Sequence, residues 1–148
     1  MNKNLSVVLV GIGGYGNRFV KALLKNEKGV NCEIKGAVDP YPEGCERLDE
    51  LKERNIPVFS KLDIFYHNHK SDLAVISSPI HYHQKQIDKA LEEESHVYCE
   101  KPLCPTVEEG KQIINKMKAT GKKVAIGYQW SYSQAIQKLK HDIMEGVY

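Results

Sequence analysis

The amino-acid sequence predicts an α/β protein, a doubly wound parallel sheet of six strands with helices on both faces. Three observations predict it. Short apolar runs alternate along the whole chain with segments whose apolar residues recur at helical spacing. The first run is continuously apolar, as a strand covered on both faces requires. The first run passes directly into a glycine-rich turn, and the second ends on an aspartate.

The elements follow in order. "LSVVLVG" (5–11) is a continuous apolar run closed by glycine. From residue 15 to 25, Phe19, Val20, Leu23 and Leu24 form one apolar stripe, so this segment is expected to be a helix. "CEIKGAVD" (32–39) is a second strand, "EGCERLDELKER" (43–54) a charged helix, and "IPVFS" (56–60) a short third strand. A weak helix over 61–68 precedes "DLAVISSP" (72–79), the most strand-like segment of the chain. A helix over 83–93 leads to "SHVYCE" (95–100), the fifth strand. Thr106 is placed as the N-cap of "VEEGKQIINKMKATG", with acidic residues in the first turn and Gly121 as the stop. "KKVAIGY" (122–128) is the sixth strand, and a last helix carries Ile136, Leu139 and Ile143 on one face. Such an alternation implies right-handed crossovers between parallel strands.

Composition narrows the function. A chain of 148 residues fits one domain with a substantial core, and 41% hydrophobic with 27% charged residues is ordinary for a globular protein. The net charge is +2 and the 21 basic residues form no block, which argues against a nucleic-acid tail or a polybasic membrane anchor. No run approaches the roughly 18 apolar residues that span a bilayer. The N-terminal apolar run is too short for a signal peptide, so a cytoplasmic protein is expected. Cys32, Cys45, Cys99 and Cys104 form no CxxC pair and read as reduced thiols. His67 with His69, and His81 with His83, are two HxH pairs without an acidic or thiol partner at matching spacing; no metal is expected.

The glycine turn reads "GIGGYG". Gly11, Gly13 and Gly16 fill the GxGxxG positions and Gly14 is an extra glycine. The first allows a tight turn, the second lets a pyrophosphate approach the backbone, and the third lets helix and strand pack closely. The following helix N-terminus offers N–H groups and a positive dipole end to phosphates. Asp39 closes the next strand 23 positions beyond Gly16, near the separation at which a carboxylate accepts the adenosine ribose hydroxyls. The run after it, "DPYPE", is not basic, so NAD is expected over NADP. Ser77 and Ser78 end a central strand, where ligands sit in open α/β sheets.

Two further motifs carry a family resemblance. Ser78, Pro79 and His83 match a T/S-P-x-x-x-H segment, and Glu100, Lys101 and Pro102 match an E-K-P motif, in order behind the glycine loop. With them the whole chain resembles the N-terminal Rossmann domain of the Gfo/Idh/MocA family of NAD(P)-dependent oxidoreductases. The resemblance implies a dehydrogenase acting on a polyol, sugar or nucleotide sugar. Lys101 would then meet the reacting oxygen as the catalytic cation, and burial could lower its amine pKa enough for a share in proton transfer. Glu100 would contact the nicotinamide-side ribose, and the Lys101–Pro102 peptide would be cis. Ile12, Gly14, Tyr15, Pro40, Pro79 and His83 complete the cofactor contacts implied. For His83 a bond to backbone and a cofactor contact both stand open. Gln129 and Trp130 would flank the nicotinamide, although relatives carry an Arg-aromatic pair where this chain has "GYQWSYS". In the family a second α/β domain follows and supplies substrate groups and a homo-oligomer interface. Residues 1–148 read as the dinucleotide-binding domain alone, with that second domain expected beyond them. A sensor that reads NAD(P) without turnover is the alternative.

Overall fold

The computed structural model describes residues 4–26, 29 and 31–147. Residues 1–3, part of the N-terminal segment in which no signal peptide was expected, lie outside them. In the first strand, β1 (Leu5–Val10), successive side chains point to opposite faces. Val7 and Leu9 lie on one face, Val8 and Val10 on the other, and all four are at most 2% exposed. Both faces of β1 are therefore covered.

The remaining strands are β2 (Cys32–Val38), β3 (Val58–Phe59), β4 (Leu73–Ile76), β5 (His96–Cys99) and β6 (Val124–Ile126). All pair in parallel, in the order β3-β2-β1-β4-β5-β6. The order reverses between β1 and β4, which is where such sheets open a crevice at their carboxyl ends. The β1–β2 register slips between Val7 and Val8, so Lys35 is an extra residue. The slip seats Gly36 beneath Phe65, where a Cβ would lie 3.0 Å from the ring.

The helices divide between the faces. The helices α1 (Asn17–Lys25) and α2 (Leu48–Glu53) cover one, burying Val20, Leu24 and Leu51 against Val7, Leu9, Ala37 and Val75. On the other, α3 (Leu62–Asn68), α4 (His83–Glu92) and α5 (Val107–Thr120) bury Phe65, Ile87, Leu91 and Ile113 against Val8, Val10, Ala74, Ile76 and Val97. Burying a side chain such as Leu91 or Ile113 contributes roughly 1.5–3 kcal/mol. At the amino ends of β4 and β5 a small polar core is closed internally: the Tyr66 hydroxyl donates to Ser95 Oγ at 2.8 Å, and Ser95 Oγ donates to the Ser71 carbonyl at 2.6 Å. Burial pushes the Tyr66 phenol pKa up, partly offset by Ser71 and Ser95.

The strands and most helices lie where the pattern put them, with shorter ends. Thr106 caps α5 through a full capping box: its Oγ1 accepts from the Glu109 N–H at 3.2 Å, and Glu109 Oε2 accepts from the Thr106 N–H at 3.3 Å. Gly121 ends the helix at φ +68°. Thr106→Ala is expected to lower stability by about 1 kcal/mol, read as a lower urea midpoint with unchanged slope.

One expectation needs correction, and one is met with a feature the pattern did not show. The helix expected over 43–54 is a 3-10 turn at Pro42–Gly44 followed by α2 from Leu48. The Asn17 side chain is the reason: its Nδ2 donates to the Gly44 carbonyl at 3.0 Å and its Oδ1 accepts from the Glu46 N–H at 2.8 Å, drawing this segment against the glycine turn. The last helix, α6 (Gln134–Met144), has its apolar stripe, but Ile136, Leu139 and Ile143 stay 43%, 45% and 57% exposed. Among the described residues, no helix is long and apolar enough to cross a membrane.

Candidate functional site

The strand ends bring the motif residues into one row. Beyond five of the six strands, one more backbone N–H reaches its neighbour's carbonyl: Asp39 to Phe59 (2.9 Å), and Gly11 to Val38, Ser77 to Val10, Glu100 to Ile76 and Gly127 to Cys99 (2.8 Å each). The ladder thus runs to the carboxyl edge of the sheet before the chain departs. Asp39, the glycine turn, Ser77 with Ser78, Glu100 with Lys101, and Gly127 with Gln129 follow β2, β1, β4, β5 and β6 in their spatial order.

The glycine turn is built by close packing. Gly11 sits at φ +79°, and a Cβ on it would lie 2.7 Å from the Ser78 nitrogen. Gly16 opens the way into α1: a Cβ there would lie 2.0 Å from the Gly11 carbonyl oxygen. Ile12 is fully buried in the core under α1 and α2 and pins the turn from below. Gly14 and Tyr15 head the 3-10 turn that enters α1. Tyr15 is 42% exposed, with the Arg18 guanidinium 5.1 Å from its ring centre.

Asp39 is engaged with this turn. Its Oδ2 accepts from the N–H groups of Ile12 (3.0 Å) and Gly13 (3.3 Å), and its Oδ1 accepts from Tyr41 N–H (2.9 Å). A carboxylate has capacity for further donors such as ribose hydroxyls. Asn17, which sequence reasoning missed, holds the facing wall through Gly44 and Glu46. Its only signal was an amide side chain directly after the third motif glycine. Beside Asp39 opens a cavity of about 630 Å³, lined by Gly11, Pro40, Leu62, Ser78, Pro79 and Tyr82, with Lys61 and Lys85 at its wall. A second depression, of about 690 Å³, lies on the far side of Asp39 between Pro42, Leu48 and Ile56, away from the glycine turn.

Past the switch point the serines turn inward. Ser77 Oγ donates to the Gly11 carbonyl at 2.6 Å, and Ser78 Oγ donates to Gln86 Oε1. The His83 ring is 1% exposed, its Nδ1 2.9 Å from the Pro102 carbonyl oxygen and its Nε2 2.8 Å from that of Ser78. Of the two readings open for His83, the structure has the backbone one; neither ring nitrogen is left for a cofactor.

Glu100 is buried, and its Oε2 accepts from the Lys101 N–H at 3.3 Å. Burial first, and then the Glu100 carboxylate beside it, push the Tyr98 phenol pKa up. Gly127 makes room for both groups: a Cβ on it would lie 2.7 Å from the Tyr98 hydroxyl and 2.9 Å from Glu100 Oε1. Cys99 is fully buried, and its thiol is pushed up to about 12 by burial. The Lys101–Pro102 peptide is cis.

Lys101 itself corrects one expectation. Its side chain is exposed rather than buried. Among the described residues no carboxylate pairs with its ammonium, Glu100 included. Gln129 and Trp130 lie in a 3-10 turn, Gln129–Tyr132, with Trp130 75% exposed. Among the described residues no group of three His, Cys, Asp or Glu side chains is arranged to hold a metal. His69 stacks on Phe65, and His83 is occupied as described.

A family model described as "Oxidoreductase family, NAD-binding Rossmann fold" matches residues 5–128. The 2,7-anhydro-N-acetylneuraminate hydratase of Escherichia coli (strain K12) is 24% identical over 139 residues, covering 94% of this chain and 36% of that protein. The WlbA dehydrogenase of Bordetella pertussis, solved with NADH and UDP-GlcNAcA, superposes with a TM-score of 0.85 at 22% identity, covering 97% of this chain and 43% of the other. Scyllo-inositol dehydrogenase of Lactobacillus casei, solved with NAD(H) and scyllo-inositol, gives 0.84 at 21% identity, with 97% and 42% covered. The chain therefore spans about two fifths of the length of the proteins it matches.

Proposed function

The chain belongs to the Gfo/Idh/MocA oxidoreductase family, and from that premise we propose that it is the cofactor half of a dehydrogenase. The whole protein would pass a hydride between NAD and a hydroxyl or carbonyl of a polyol, sugar or nucleotide sugar. One observation carries the reading: Asp39, the glycine turn, Ser78 and Lys101 stand at the ends of adjacent strands β2, β1, β4 and β5. That is the order in which an extended dinucleotide presents adenosine ribose, pyrophosphate and nicotinamide, with the substrate beyond.

The chain's own groups divide the work. The N–H groups heading the turn at Gly14 and Tyr15 are suited to pyrophosphate oxygens, which the positive end of α1 also favours. Asp39 would take the ribose hydroxyls and repel a 2′-phosphate. Pro40 and Pro79 would wall the adenosine side of the cavity. Glu100 would face the second ribose, and Gln129 and Trp130 the nicotinamide. When bound, the dinucleotide supplies the hydride chemistry. Lys101, with no carboxylate on its ammonium, would stabilise oxyanion character on the substrate as hydride moves. A second α/β domain would complete the pocket, shield Lys101 from water and join copies into a homo-oligomer. The four thiols are free, as a reducing compartment such as the cytoplasm keeps them.

The similarity to a hydratase favours a second reading, in which the whole protein adds or removes water. The two differ in whether NADH accumulates with turnover. The cofactor assignment is tested by calorimetric titration of the chain with NAD and NADP, before and after Asp39→Ala. NAD is expected to bind more tightly, and the variant to lose that preference by roughly tenfold, the worth of hydrogen bonds to a charged acceptor. Lys61 and Lys85, which line the same cavity, are the feature favouring NADP. Tighter binding of NADP by the unaltered chain would overturn the preference.

A further inference from the structure

We propose that His83 is a positioning residue for Lys101, a strut that holds the lysine turn in register with the glycine turn. The Lys101 ammonium has no partner among the described residues, so the side chain is aimed by its backbone alone. Leu103 beyond it packs against the core, but that backbone has few hydrogen-bonded anchors. Lys101 N–H reaches Glu100 Oε2 at 3.3 Å, and Pro102 has no N–H to give. The Pro102 carbonyl is the group left to fix the turn, and His83 Nδ1 meets it at 2.9 Å.

The other end of the ring is anchored on the cofactor side. Nε2 meets the Ser78 carbonyl at 2.8 Å. Ser78 is itself pressed on Gly11, its nitrogen 2.7 Å from the place a Cβ there would take. The 3-10 turn Ile80–Tyr82 folds the chain back, so that the ring at the head of α4 comes beneath Ser78. At 1% exposure the ring is fixed by packing as well as by these contacts. Both partners are carbonyl oxygens, so a neutral ring donates one of the two bonds and only a ring protonated on both nitrogens donates both. The result is a rigid path from Gly11 through Ser78 and His83 to Pro102, and it sets where Lys101 stands relative to anything held by the glycine turn.

That Lys101 meets a substrate rests on the function proposed above; the strut does not. The test uses the 148-residue chain with His83→Phe, which keeps a ring without donors, and His83→Gln, which restores a donor. Backbone ¹⁵N relaxation at Lys101 and Leu103 reads the strut, and calorimetry with NADH reads the cofactor site. Order parameters near 0.85 are expected for the unaltered chain, falling toward 0.6 in the Phe variant. The Gln variant recovers them, while NADH affinity in both changes by no more than about twofold. Unmoved order parameters in a folded Phe variant overturn the proposal. So does a loss of affinity of about tenfold or more with Lys101 still rigid, because the ring is then a cofactor contact. Should the Phe variant not fold, the unaltered chain decides. A ring N–H of His83 exchanging slowly enough to be seen in a ¹H–¹⁵N spectrum supports the strut, and loss of both to solvent exchange overturns it. Failure of the unaltered chain to bind NADH would refute the proposed function and leave the relaxation result to judge the strut.

Discussion

Gly16→Ala is expected to abolish dinucleotide binding and to destabilise the domain. The added Cβ would stand 2.0 Å from the Gly11 carbonyl oxygen and 2.9 Å from Ser77 Oγ. The first is backbone held by the β1–β2 ladder, and the second is fixed by its own hydrogen bond to Gly11. Neither can yield without moving the turn. Overpacking of this kind costs about 1–3 kcal/mol or more, a large share of the roughly 5–15 kcal/mol that holds a domain folded. The urea midpoint is expected to drop accordingly. In whatever fraction remains folded, NADH affinity falls at least a hundredfold, because the turn that cradles the pyrophosphate is displaced. A stable Gly16→Ala chain with unchanged affinity would show that binding does not use this turn.

Lys101→Met is expected to leave this chain almost untouched and to disable the complete enzyme. The side chain is exposed and, among the described residues, unpaired, so stability should move by no more than about 0.5 kcal/mol. In the complete protein, with a polyol or sugar that it turns over, hydride transfer is expected to slow by about 10²–10³-fold, the usual cost of removing one group that stabilises developing oxyanion charge. The loss should fall on kcat, with KM for the dinucleotide unchanged. An undiminished single-turnover rate would remove Lys101 from the chemistry.

Much of the architecture was legible in local pattern. The double-sided first strand, the Thr106 cap and the Gly121 stop are decided within a few residues of chain, and all appear as read. The site was legible to the extent that its motifs are contiguous: the glycine turn, Asp39 and the Glu-Lys-Pro turn do share one sheet edge. What was illegible depends on contacts between distant segments. Asn17 reaches 27 residues along the chain to Gly44 and cuts short a helix that residues 43–54 would otherwise favour. The two partners of His83 lie 5 residues before it and 19 after it, so no spacing rule reveals that the ring is spent on backbone. Burial of Lys101 came with the catalytic role that the resemblance implies. Lys101 is exposed because β5 ends at Cys99 and the chain turns out from the sheet edge there. The apolar stripe of α6 is plain in its periodicity, but the pattern does not say what covers it.

The central claim is that the glycine turn and the lysine turn belong to one dinucleotide site. Titration of the isotopically labelled 148-residue chain with NADH, followed by amide chemical shifts, tests it most directly. Saturable shifts are expected along a continuous track from Asp39 through Gly13 and Ser78 to Lys101, with the Tyr66–Ser95 end of the sheet silent. A folded chain whose shifts never saturate, or saturate only away from that edge, would contradict the claim.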